Sequence, residues 1–263
     1  MKDKYSWPFW SRDTASKGQP ANDMNLKYEN TILVAIQAIK RERITRSLNI
    51  MGLFADNHRT FGDYARRLTG NTFPEINNVI VIEKEARVFQ KILSQETLLK
   101  NRHKQGPLWP VCTELENLLF VPGSRGRPPS EILQIQKIQH QFIGSIDFFN
   151  LDFTYYWKNT KKFSYLPELL TLFASPTSVV NINAVQRYPR SVPHQASEQD
   201  IQDISSSLME DIKKRTESKV KNSSLRYYKT RQQNNNVETT MASLTFVLQR
   251  SLSSKARIGS INE

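Results

Sequence analysis

Asn78-Val79-Ile80-Val81-Ile82, written NVIVI, is the densest β-branched run of the chain. Branched side chains at nearly every position, without the polar alternation of a half-exposed strand, predict a strand covered on both faces. Such strands belong to parallel sheets, whose crossover connections put helices over each side. Glu83 stands at the carboxyl end of this strand. Upstream, Phe61, Tyr64, Ala65 and Leu68 fall on one helical face, with Thr60 as cap and Gly70 as stop. Downstream, Val88, Phe89, Ile92 and Leu93 mark an amphipathic helix over residues 84–99.

The same rhythm extends in both directions. SLNIMGLF (Ser47–Phe54) reads as a buried strand, after a helix with Ile32, Leu33, Ile36 and Ile39 on one face. Lys40, Arg41, Arg43 and Arg46 crowd the later turns of that helix, where cations suit its dipole. Further on come a strand NLLFV (Asn117–Val121), a turn PGSRGRPP and a helix bearing Ile132, Leu133, Ile135 and Ile138. A strand GSIDFFNLDF (Gly144–Phe153) follows, then a helix around Leu166, Leu169, Leu170 and Phe173, and a strand SVVNINAV (Ser178–Val185). Pro167 is tolerable in the first turn of that helix. Five strands separated by helices predict an α/β fold: a Rossmann-like, doubly wound, mostly parallel sheet with helices on both faces.

Beyond Tyr188 the pattern changes. Ser197 to Asp200 resembles a capping box ahead of Ile201, Ile204, Leu208 and Ile212 on one helical face. Lys213 to Arg231 carries eight basic residues against one acid, Glu217. QQNNN reads as a loop, and TTMASLTFVLQR (Thr239–Arg250) as a last strand returning to the sheet. The organisation expected is an irregular tail over 1–27, the α/β core over 28–190, a helical basic extension with the final strand over 191–250, and a C-terminal tail over 251–263.

Composition bounds the function. At 263 residues and 38% hydrophobic content the chain has material for a core, so wholesale disorder is excluded, and nine glycines exclude collagen. A formal charge of +12 draws in polyanions, which puts nucleic acid first among partners and an anionic membrane surface second. Cys112 is alone, and His58, His103, His140 and His194 are scattered without CxxC or HExxH spacing, so neither an internal disulfide nor a metal site is expected. No apolar run reaches the roughly 18 to 20 residues of a membrane span, and MKDKYSWPFWSRD lacks the apolar stretch of a signal peptide. These traits fit an intracellular, reducing compartment, cytoplasmic or nuclear. Trp109 and Trp157 read as core or interface anchors, and Cys112 as a small buried filler.

Ligands of open α/β sheets bind beyond the carboxyl ends of the strands, which singles out Gly52 to His58, Glu83, Pro122 to Arg127 and Asp152 to Trp157. Two roles suit Glu83: accepting hydrogen bonds from the ribose hydroxyls of a nucleoside cofactor, or starting the next helix, where an acid favours the dipole.

The run IDFFNLDFTYYW (Ile146–Trp157), with an acid opening the strand and Asp152 followed by aromatics at its end, resembles the fourth motif of class I S-adenosylmethionine-dependent methyltransferases. In members that methylate exocyclic base amines this motif is often DPPY. The resemblance covers about residues 45–190 as an order of elements. It implies S-adenosylmethionine as cofactor, with Asp152 accepting a hydrogen bond from the target amine and Phe153 and Tyr155 stacking on or walling in the base. It also implies that Glu83 holds the ribose and the Gly52 loop, with Asp56 and Asn57, holds the methionine end. The family's first motif is a glycine-rich loop, often GxGxG, whereas MGLFADNH here contains Gly52 alone. Asp152 as a strand-end cap or a salt-bridge partner, with the aromatics as ordinary packing, is the plainer alternative, and a degenerate scaffold without catalysis is the rival to the enzyme.

The basic segment offers Lys213, Lys214, Arg215, Lys219, Lys221, Arg226, Lys229 and Arg231 to a phosphate backbone of DNA or RNA, with Tyr227 and Tyr228 to stack on unpaired bases. SRGR (Ser124–Arg127) is a weaker second patch. Trp7, Phe9 and Trp10 in the N-terminal tail are candidates for docking on a protein partner.

Overall fold

The computed structural model describes residues 32–44, 46–53, 74–87, 89–90, 108–119, 128–187, 196–232 and 237–250. The aromatics expected in the N-terminal tail, the helix around Phe61 to Leu68, SRGR, Asp56 and Asn57 lie outside these residues.

Seven strands make one sheet: β1 (Leu48–Gly52), β2 (Ile76–Ile82), β3 (Leu108–Val111), β4 (Ile146–Tyr156), β5 (Ala174–Arg187), β6 (Ser218–Gln232) and β7 (Val237–Arg250). Their order is β3-β2-β1-β4-β5-β7-β6. The first five pair in parallel, and β7 is antiparallel to both of its neighbours, so β6 runs with the first five. The sheet is therefore Rossmann-like and mostly parallel, and the winding reverses between β1 and β4. Helices α1 (Ile32–Arg41), α2 (Pro129–Phe142), α3 (Leu166–Phe173) and α4 (Glu198–Thr216) cover it.

Strand alternation sorts the core into two layers. Ile50, Val79, Val81, Phe148, Val179 and Val247 pack with Ala35, Ile36, Ala38 and Ile39 of α1. Their chain neighbours Met51, Ile80, Ile82, Phe149, Val180 and Phe246 point the other way, toward Ile138 and Phe142 of α2, Leu169 and Phe173 of α3 and Ile201 and Ile212 of α4. β1, β2, β4, β5 and β7 thus carry buried apolar side chains on both sides, as the NVIVI run required of β2.

Three expectations need correction. The third strand is Leu108–Val111, not NLLFV, whose residues lie mostly in a 3-10 turn over Leu115–Leu119. Leu115 and Leu118 are buried at a spacing of three, the repeat of that helix, and Pro110 is tolerated because β3 is the sheet edge. α1 stops at Arg41 because Arg43 adopts a left-handed φ of 53°, so Arg46 lies outside the helix. Most of the basic segment is also not helical: after α4 ends at Thr216 it forms the fifteen-residue edge strand β6. The capping box of α4 forms as read, Ser197 Oγ accepting from Asp200 N–H at 3.0 Å and Asp200 Oδ2 from Ser197 N–H at 2.8 Å. That reciprocal bonding, the serine backbone N–H first and Lys158 after it, holds the Asp200 carboxyl below its usual range.

The acid that opens β4 is structural. Asp147, 1% exposed, accepts from Arg46 Nε at 3.0 Å and from Arg46 Nη2, and its second oxygen accepts from Asn49 N–H at 2.9 Å. Arg46 Nη2 also donates to Ser175 Oγ at 2.9 Å, so one guanidinium ties β1, β4 and β5 together at their amino ends. Asp147→Ala leaves the Asn49 amide without its acceptor and is expected to cost about 2 kcal/mol. Asp147→Asn keeps an acceptor and should cost less; equal denaturant midpoints for wild type and Asp147→Ala would contradict this role.

Candidate active site

The pairing register decides where the chemistry-bearing residues stand. Gly52 is paired with Val81 of β2 on one side and Asn150 of β4 on the other. Two residues beyond that row come Glu83 and Asp152, at the same carboxyl rim and on the face that α1 packs against. β1 ends between them at Gly52, so their backbones are separated by two strand spacings, about 10 Å. The same row continues from Asp152 to Asn183 of β5, Ser243 of β7 and Arg226 of β6.

Glu83 is half-buried. Its backbone N–H donates to Val111 O at 3.0 Å, and its Oε1 accepts from Glu85 N–H at 2.8 Å, where the backbone turns helical at Ala86. One carboxylate oxygen thus fills the helix-starting role. Burial pushes its carboxyl above the ordinary value, against the lowering effect of the Glu85 N–H, and the charge of Glu85 adds to the rise. Cys112, one residue past β3, is half-buried rather than buried; its thiol is raised by burial, then by Glu131 and Glu83.

Asp152 is partly exposed at the rim. Phe153, next in the strand, points through the sheet into the opposite layer, 4% exposed and edge-on to Phe163 at 5.4 Å. Successive strand residues face opposite sides, so Phe153 cannot wall in a base held by Asp152. Tyr155 belongs to β4, but its side chain lies outside the described residues. Trp157 is fully buried, its Nε1 donating to Ala242 O at 3.2 Å, and Trp109 meets Phe142 edge-on at 5.2 Å; both are packing anchors.

Sequence reading missed the polar row beneath this rim. Asn181 Nδ2 donates to Thr245 Oγ1 at 2.7 Å and Ser243 Oγ at 3.0 Å, and Asn183 Nδ2 donates to Asn181 Oδ1 at 2.9 Å. Asn183 is 1% exposed, and its Oδ1 takes no hydrogen bond among the described residues, although it stands beside Asp152 in the register. The signal was present: N-x-D in β4 and N-x-N in β5 interrupt strands that should be apolar on both faces, and a buried amide there requires a built network.

The basic residues divide by position. Arg215 bonds to Glu168, to Asp211 at 3.4 Å and to Ser164 O at 3.2 Å, and Lys213 pairs with Glu210 at 3.4 Å; both serve α4. Lys214 is exposed on the same helix. On β6, Lys219, Lys221 and Arg226 are exposed and point to the α1 side, being paired with Gln249, Val247 and Ser243. Tyr227 and Tyr228 point to opposite sides of the strand. Tyr228 is buried and cannot stack on a base, and the Tyr227 hydroxyl donates to Glu198 O at 3.2 Å while its ring packs on the core. Burial raises the Tyr227 phenol above its usual value, with the charge of Glu198 adding to it. The side chains of Lys229 and Arg231 lie outside the described residues.

Among the described residues no group of three His, Cys, Asp or Glu side chains is placed to hold a metal, and no helix is long and apolar enough to cross a membrane. No protein-family model and no curated protein matches the sequence. Solved structures similar to it include TYW2 of M. jannaschii in complex with AdoMet, 13% identical, TM-score 0.44, covering 83% of this chain and 77% of that one. A SAM-dependent methyltransferase from Aquifex aeolicus is 10% identical with TM-score 0.44, over 86% of this chain and 95% of its own. Magnesium protoporphyrin IX methyltransferase (ChlM) from Synechocystis, with bound SAM, is 9% identical with TM-score 0.44, over 92% and 88%. At such identities the likeness is one of fold alone, and the roles of individual residues rest on this chain's own geometry.

Proposed function

We propose that this chain is a methyltransferase that uses S-adenosylmethionine and acts on a base amine of nucleic acid. The observation that carries the reading is the register: Glu83 and Asp152 occupy one row at the carboxyl rim, on either side of the end of β1, where the winding of the sheet reverses. The carboxyl side of the sheet at such a reversal is the ligand position of open α/β folds. The donor set fits a nucleoside. Glu83 is a half-buried carboxylate at the strand end that already accepts from Glu85 N–H at 2.8 Å, and a carboxylate there suits a ribose hydroxyl. The loop from Gly52 through Asp56 and Asn57 holds the methionine end in this reading. The cofactor supplies an electrophilic methyl group on its sulfonium. Asp152 accepts a hydrogen bond from the target N–H and orients the nitrogen lone pair, so positioning supplies most of the acceleration. The exposed cations of β6 hold the phosphate backbone.

Titration calorimetry with S-adenosylmethionine tests the cofactor half. Wild type should bind, and Glu83→Gln should weaken binding by about 10- to 100-fold, the worth of a charge-assisted hydrogen bond. The melting temperature should hold or rise, since Gln still accepts from Glu85 N–H while the desolvated charge is gone. Because the folded carboxyl titrates above 4.5, its stabilising contribution is complete below that value and is lost as pH rises through the raised one. Ligand affinity runs the other way, falling on acidification before an ordinary glutamate would protonate. Absence of heat at millimolar ligand with folded protein overturns the enzyme.

The single glycine of MGLFADNH favours a second reading, a non-catalytic nucleic-acid-binding or assembly subunit on the same scaffold. It requires salt-sensitive binding to DNA or RNA that survives both Glu83→Ala and Asp152→Ala.

A further inference from the structure

We infer that the end of α1 and the start of β6 together form a phosphate-binding patch for single-stranded nucleic acid, made of Lys40, Arg41, Arg43, Lys219 and Lys221. The inference rests on the nucleic-acid part of the proposed function and adds α1 to it. Glu42 docks the two elements: its Oε1 accepts from Asn222 Nδ2 at 2.7 Å and its Oε2 from Gln249 Nε2 at 3.1 Å. Lys219 is the register partner of Gln249, and Lys221 lies two residues further along the same face of the sheet. Lys40, Arg41 and Arg43, the chain neighbours of Glu42, are thereby brought beside them, and all five cations are exposed. Among the described residues Glu42, the acid beside the cluster, accepts with both oxygens from neutral amides and pairs with no cation, so it positions the patch without quenching it by direct pairing.

The direction of the patch identifies its partner. Lys219, Lys221 and Arg226 continue up the α1 side of β6, and Arg226 stands in the row of Asp152, Asn183 and Ser243. A line of cations leading from the amino ends of the strands to the carboxyl rim suits a linear polyanion. A membrane surface would call for exposed apolar side chains beside the cations. The large exposed hydrophobics among the described residues are Leu133 and Ile143, on and just after α2, across the sheet from the patch.

The test is fluorescence anisotropy of the full chain with a labelled single-stranded RNA of about 20 nucleotides, over a potassium chloride series. Arg41→Gln with Arg43→Gln, and separately Lys219→Gln with Lys221→Gln, should each weaken binding on the order of tenfold and flatten the salt slope by about 1.4, two phosphates' worth. Lys137→Gln with Lys161→Gln, an equal charge change on the opposite side of the sheet, should stay within about twofold. Melting temperatures confirm that each variant is folded; if either double variant unfolds, Arg43→Gln and Lys221→Gln alone carry the test, each flattening the slope by about 0.7. Wild-type binding that ignores both patch variants overturns this inference alone, and failure of wild type to bind RNA or DNA overturns it together with the nucleic-acid half of the function. Patch variants that lose binding to phosphatidylserine vesicles but not to RNA would overturn it in favour of a membrane. The readout needs no methyl transfer, so a negative calorimetric result with S-adenosylmethionine leaves it standing.

Discussion

Asp152→Ala is expected to lower methyl transfer to a nucleic-acid substrate by about 10²-fold or more while leaving affinity for S-adenosylmethionine within about twofold. The size follows from what the residue is proposed to do: a target nitrogen held without its acceptor loses the alignment of its lone pair, and misplacement of a reacting atom costs on this order. The split follows from the sheet. Asp152 is on β4 and Glu83 just past β2, with the end of β1 between them, so a change at one leaves the other's surroundings in place. Asp152→Asn keeps an acceptor at the same position and should retain more of the rate than Ala. Full activity in Asp152→Ala would remove Asp152 from the mechanism; equal loss of cofactor affinity would make its role structural.

Trp157→Ala is expected to be the most destabilising change, about 3–5 kcal/mol. The indole is fully buried, is bonded through Nε1 to Ala242 O, and stacks at a tilt on Phe163 with ring centroids 5.4 Å apart. Its removal opens a cavity where β4, the 3-10 turn over Thr160–Phe163 and β7 meet. For a domain of this size the melting temperature should fall by roughly 10 °C. Trp157→Phe keeps most of the volume and should lose far less; a drop below 2 °C for the alanine variant would show that this corner is not packed as described.

Where burial on both faces leaves a plain compositional mark, the chain could be read directly. β2, β4 and β5 were found because their apolar runs are long, and α4 because Ser197 and Asp200 stand at capping-box spacing. β3 was not found, because Leu108–Val111 is short and proline-bearing and only its position at the edge makes it a strand, a tertiary fact. The run NLLFV looked more strand-like, yet Leu115 and Leu118 are buried at the repeat of a tight helix. The same limit applied to the site. Glu83 and Asp152 were picked out as strand-end acids, but their shared row depends on register, which no local pattern encodes. Residue type alone marks Phe153, Tyr227 and Tyr228; strand alternation turns Phe153 and Tyr227 into the opposite layer, whereas Tyr228 shares the face of Arg226 and is buried there. The partnership of α1 with β6 through Glu42 joins residues some 180 positions apart, beyond the reach of any local motif.

The place of β7 in the sheet has a consequence for how the protein is made. Among the described residues β7 is the last strand and yet an interior one, lying between β5 and β6. A nascent chain that has emerged as far as Gln232 therefore holds six strands that cannot yet form a closed set. The ladder edge of β5 stays bare, and β6 has nothing to pair with until residues 237–250 leave the ribosome. An exposed apolar edge is a template for pairing with other chains. During synthesis the open flank of β5 is thus the part most in need of shielding by a chaperone, and arrest just before Val237 would release the species most prone to aggregate.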